Sequence, residues 1–139
     1  PDGRRLAFAS ADRIGLIESA AGGTLWEDNG APVCADPAAQ EGAVICSDGA
    51  GGSFILWEDK RFDAMSESDL YAQHLNSTGE RLWEDDIEIS GALEDQDSPC
   101  ITADGEGGFY AAWKDCRVDT VGDIYAVRIE PLKALGLSS

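Results

Sequence analysis

The polar residues best suited to chemistry occur twice. Asp59, Arg61 and Asp69 recur as Asp115, Arg117 and Asp123. Carboxylates are hard oxygen ligands, and Asp59, Asp63, Glu67 and Asp69 could together hold a Ca2+ ion in the loop that follows Arg61. The same residues also make a structural device. An arginine paired with an aspartate pins the loop to its strands, and Asp59 caps a strand end. An active site needs its residues once, whereas a packing device is needed in every repeat. The repetition therefore predicts structure, with a loop ligand or Ca2+ site as the functional alternative.

Catalytic signals are sparse. His74 is the single histidine, with no serine or cysteine nucleophile motif beside it. Among 27 acidic residues no pair stands out as the acid and base of glycoside hydrolysis. The stretch "DGAGG", residues 48–52, joins two apolar runs and has no helix after it to bind a phosphate. Trp26, Trp57, Trp83 and Trp113 fall at two recurring places, which predicts packing. Trp83, on an expected outer strand, is the candidate for stacking a sugar ring. Cys34, Cys46, Cys100 and Cys116 form no CxxC motif, and a single histidine leaves a Cys/His zinc site short of ligands. They are disulfide candidates or buried thiols, and Cys100 with Cys116 is a conceivable bridge. The stretch "NST", residues 76–78, matches a glycosylation acceptor and equally an ordinary hairpin turn.

These residues are carried by a repeat. "DGAGGSFILWEDKR" at residues 48–61 returns as "DGEGGFYAAWKDCR" at residues 104–117, shifted by 56. "DLYAQHL" at 69–75 returns as "DIYAVRI" at 123–129, shifted by 54, so the intervening loop has lost two residues while both flanks kept their pattern. "GGTLWED" at 22–28 matches "GERLWED" at 79–85. In the complete unit, residues 42–47, 53–58, 69–76 and 81–90 read as four short strands, and the glycine-rich turn joins the first two. The second strand is apolar on both faces, as expected of a strand buried between layers. No segment has a convincing helical period.

Charge and composition narrow the partners. Lys and Arg number 10 against 27 Asp and Glu, a formal charge of −17. Such a surface repels phosphate backbones and anionic lipid, which excludes nucleic acid as a main partner. No apolar run reaches membrane-spanning length, so no membrane insertion is expected. The acidic, turn-rich and repetitive composition suits an extracellular or cell-surface setting, or the periplasm.

A four-stranded antiparallel unit of this length, repeated, predicts an all-β protein built from β-propeller blades. Residues 1–35 form a partial blade, 36–91 a full blade and 92–139 a second partial blade, about two and a half in one segment spanning residues 1–139. A closed ring needs at least four, so the expected partners are the remainder of a longer chain or other copies of this one. The pattern DG-x-GG, W-x-D-x-R and D-[LI]-Y-A resembles the repeats of secreted bacterial β-propeller proteins. The opening "PDGRRLAFAS" resembles a TolB-like blade. The resemblance implies a surface module rather than a particular chemistry, since propellers host many activities. The expectation is a non-enzymatic scaffold or binding platform that engages a glycan or protein and needs no cofactor, Ca2+ aside. The alternatives are a glycan-active propeller hydrolase or lyase and an oligomeric lectin.

Overall fold

The structure, a computed structural model, describes residues 23–62 and 67–131. The TolB-like opening and Asp63 lie outside the described residues. The chain divides into two compact units, Pro1–Ala31 and Pro32–Ser139. In the first, residues 23–31 form no strand and turn at Asn29 (φ 73°) and Gly30, whose N–H donates to the Glu27 carbonyl at 3.0 Å.

The second unit carries seven strands, and no helix occurs among the described residues. Strands β1 (Gln40–Ser47), β2 (Ser53–Asp59), β3 (Asp69–Leu75) and β4 (Ile87–Ser90) form one sheet in the order β1-β2-β3-β4. Strands β5 (Gln96–Ala103), β6 (Phe109–Asp115) and β7 (Asp123–Ile129) form a second sheet in the order β5-β6-β7. Every pairing is antiparallel. The protein is therefore all-β, with two antiparallel meanders that follow the sequence repeat strand for strand. The two sheets do not close into a ring.

Equivalent positions hold equivalent registers. Trp57 faces Tyr71 and Asp59 faces Asp69, while Trp113 faces Tyr125 and Asp115 faces Asp123. Strand β1 starts two residues earlier than expected, and both first strands carry a bulge, between Glu41 and Val44 and between Asp97 and Cys100. The bulges place Gly42 at φ 60° and its counterpart Ser98 at φ 58°.

The fourth strand is shorter than the expected run over residues 81–90. Arg81 makes only an isolated bridge to Leu75, and regular pairing resumes at Ile87. The cause is a side chain. Gln73 Oε1 accepts the Trp83 backbone N–H at 3.1 Å, which replaces a ladder bond and turns the indole into the protein. Trp83 is 6% exposed and lies against Phe54, with ring centroids 6.0 Å apart.

The sheets pack face to face. Phe54, Leu56, Leu70 and Ala72 meet Phe109, Ala111 and Trp113, and the Phe54 and Phe109 rings stand 4.8 Å apart. Alternation along each strand delivers these residues to one face. Polar bonds fix the sheets at the rim of this core. Ser68 donates its N–H to Asp95 Oδ1 at 3.0 Å and accepts the Gln96 N–H on its carbonyl at 2.9 Å.

Candidate functional site

Trp57 and Asp59 lie two apart on β2, so their side chains project from the same face. The Trp57 indole N–H donates to Asp59 Oδ2 at 2.7 Å. The Arg61 guanidinium grips both carboxylate oxygens, Nε to Oδ1 at 2.9 Å and Nη2 to Oδ2 at 2.7 Å, while the Arg61 backbone N–H donates to Oδ1 at 2.8 Å. The guanidinium also covers the Tyr71 ring, 4.1 Å from its centroid. The second copy repeats each contact. Trp113 donates to Asp115 at 2.8 Å, Arg117 grips it at 2.7 and 2.6 Å, and Arg117 lies 4.0 Å over the Tyr125 centroid.

The electrostatics follow from this geometry. Burial alone would raise the Asp59 carboxyl, but the Arg61 and Trp57 hydrogen bonds outweigh it and hold the group below the usual carboxylate range. Arg117 holds Asp115 down at about 2, against the opposing effect of burial and with help from Trp113. Both carboxylates are thus ionised and fully engaged by one fork-shaped cation, as an internal fastening requires.

An arginine–aspartate pair forms in each copy. Arg61 takes Asp59 rather than Asp69, and its Nη2 also bonds Asp86 Oδ2 at 2.9 Å. Asp69 sits across the ladder, its carboxyl raised by burial and then by the negative charges of Glu88, Glu67 and Asp59. Asp123 is exposed. Of the proposed Ca2+ ligands, Asp59 is held by Arg61 and Trp57, and Asp63 lies outside the described residues. Among the described residues no group of three or more His, Cys, Asp or Glu side chains is placed to hold a metal ion.

Each arginine also reaches toward the segment before its own sheet. Arg61 Nη2 lies 3.4 Å from Cys34 Sγ, and 56 residues later Arg117 Nη2 lies 3.5 Å from Ser90 Oγ. Burial pushes the Cys34 thiol up. All four cysteines, Cys34, Cys46, Cys100 and Cys116, are free thiols. Cys100 pairs with Ala112, whereas Cys116 follows the Gln96–Asp115 pair at the far end of the ladder. At about 3.4 Å per residue that offset of four residues is about 14 Å, beyond the Cα spacing of a disulfide. The conceivable Cys100–Cys116 bridge is therefore excluded by register.

The glycine-rich turns form a second repeated unit. Asp48 Oδ1 accepts the N–H groups of Ala50 and Gly52 at 2.7 and 2.8 Å, and Asp104 Oδ1 accepts those of Glu106 and Gly108 at 2.7 and 2.9 Å. The other carboxylate oxygen faces the third strand, where His74 Nε2 lies 2.8 Å from Asp48 and Arg128 Nε donates to Asp104 at 2.9 Å. His74 stacks on Phe54 at 4.2 Å. The lone histidine is thus a turn anchor, equivalent to an arginine in the next copy.

Two concavities lie among the described residues. A shallow one of about 390 Å³ is lined by Val33, Cys34, Gln40, Glu41, Ala43, Ile55 and Trp57, and a smaller polar one by Asp104, Glu106, Arg128, Glu130 and Pro131.

Sequence reasoning missed Tyr71, Tyr125 and Asp86 as partners of the arginines, and the turn aspartates as anchors. The turn aspartates had a signal, since each stands nine residues before its tryptophan, and so had the tyrosines, since each recurs within D-[LI]-Y-A, fourteen residues after Trp57 and twelve after Trp113. No family model, curated protein or solved structure matches the chain.

Proposed function

We propose that the chain is a non-enzymatic β-propeller module of an extracellular or cell-surface protein, working as a scaffold or binding platform and completed by further blades. One observation carries this reading. The conspicuous acid–base cluster, Trp–Asp–Arg–Tyr, occurs in both consecutive sheets with the same core contacts and directs its hydrogen bonds inward. A group so engaged is a fastening, and its repetition suits a stack of equivalent sheets.

The test is a binding survey set beside a turnover assay. The chain is probed against arrays of glycans and surface proteins, and the same glycans are assayed for newly released reducing or unsaturated ends. The expected result is capture of a subset without turnover. Sustained release of cleaved glycan by the purified chain would overturn the reading.

A further inference from the structure

The repeat assigns each residue of the second sheet a counterpart in the first, and the two sheets differ in which face is covered. Phe54, Leu56, Leu70 and Ala72 are buried beneath the second sheet. Their counterparts Tyr110, Ala112, Ile124 and Ala126 form the opposite face of β6 and β7, where Tyr110 is 45% and Ile124 77% exposed. Two large apolar side chains exposed together on one sheet face, at positions whose counterparts are fully buried, signal a surface built to be covered.

We propose that this face is the docking surface for a further sheet of the same repeat. That sheet lays its tryptophan-bearing face on Tyr110, Ala112, Ile124 and Ala126, as Phe109, Ala111 and Trp113 lie on Phe54, Leu56, Leu70 and Ala72. The inference rests on the propeller reading and adds the identity of the partner and its orientation. The first interface supplies the template for the second. The Phe109 counterpart stacks on Tyr110, as Phe109 does on Phe54 at 4.8 Å. Gly122 stands where Ser68 stands, so its carbonyl is the acceptor for the incoming main-chain N–H that Ser68 takes from Gln96 at 2.9 Å. Lys114 replaces Glu58, which accepts the Ser98 N–H at 3.3 Å. The docked sheet therefore presents an acidic group at that point in place of a bare N–H.

Neither described sheet of a second copy is the occupant. The tryptophan-bearing face of the first sheet, with Trp57, Tyr71, Gln73 and Leu75, is already buried. A second copy has no free surface of the required kind in its two sheets.

The experiment extends the full chain after Ser139 with a duplicate of residues 36–91, and in a second version with a duplicate of residues 92–131. Hydroxyl-radical labelling then reads Tyr110. In at least one extended chain its labelling rate falls about tenfold, and Ile124→Asp in that chain restores it. Tyr110 labelling unchanged in both would overturn the proposal. So would symmetric self-association of the unextended chain that protects Tyr110 and is abolished by Ile124→Asp, because the occupant would then be a second copy. Neither result bears on glycan turnover, so the docking inference and the functional reading fail separately.

Discussion

The Trp57 indole donates to the Asp59 carboxylate at 2.7 Å, and 56 residues later Trp113 stands in the same relation to Asp115 at 2.8 Å. Each bond ties a buried aromatic to a buried anion that an arginine then neutralises. Removing one partner of such a set leaves a charge without compensation in a poorly solvated place. Arg61→Ala is therefore expected to destabilise the protein by about 3–5 kcal/mol, read as a lower denaturant midpoint. Arg61→Lys recovers only part of this, because an ammonium cannot bridge both carboxylate oxygens and lie flat on Tyr71. An unchanged midpoint in Arg61→Ala would mean that the clamp is decorative.

Acid should release the same device. Asp115 has a folded-state value of about 2, set mainly by Arg117, against about 4 for an unfolded aspartate. A depressed value means that the unfolded chain takes up the proton first. The stabilisation is complete above about pH 4 and is lost as pH falls towards 2. Unfolding free energy measured from pH 6 to 2 should fall through this window, and Asp115→Asn should flatten the decline while lowering stability at pH 6. A variant whose acid profile matched that of the wild type would remove Asp115 from the explanation.

How far the sequence speaks depends on where each interaction is encoded. The β2 and β6 strands and the turns before them are legible, because alternation, glycine placement and the 56-residue shift all point the same way. The choice of Asp59 over Asp69 as the partner of Arg61 is local, since only one residue separates Arg61 from Asp59, yet Asp69 is equally well placed in a one-dimensional reading. Asp86 is harder still. It reaches Arg61 from 25 residues away, a separation that no local pattern marks. The early end of the fourth strand is a tertiary effect. "RLWEDDIEIS" alternates well enough for a continuous strand, and it is interrupted because Gln73, from another strand, claims the Trp83 N–H. Which sheet face is covered and which lies open is likewise decided by neighbours.

The glycine turns offer a graded test. A Cβ on Gly108 would stand 2.1 Å from the Ile129 carbonyl oxygen, a main-chain atom that cannot step aside. Gly105 has φ 83° but open space around it. Gly105→Ala should cost about 1–2 kcal/mol, the strain of a left-handed backbone. Gly108→Ala should cost more, because the β6–β7 ladder must shift to admit the methyl group. Thermal melts of the two variants give the order, and a reversed order would show that the turn relaxes more readily than the ladder.

The cysteines give the last test. Cys100 is exposed and Cys116 is buried, and both are free. A thiol reagent reaches a buried sulfur only when the structure opens, so its reaction rate reports local unfolding. Cys100 should label quickly under native conditions and Cys116 slowly, with the two rates converging in denaturant. The intact mass should be the same with and without reductant. Cys116 lies directly between Asp115 and Arg117, so Arg117→Ala should quicken its labelling more than that of Cys46, which sits on β1. Equal acceleration at both positions would mean that the clamp stabilises the whole unit at once, and that its loss is felt globally rather than at the strand end it fastens.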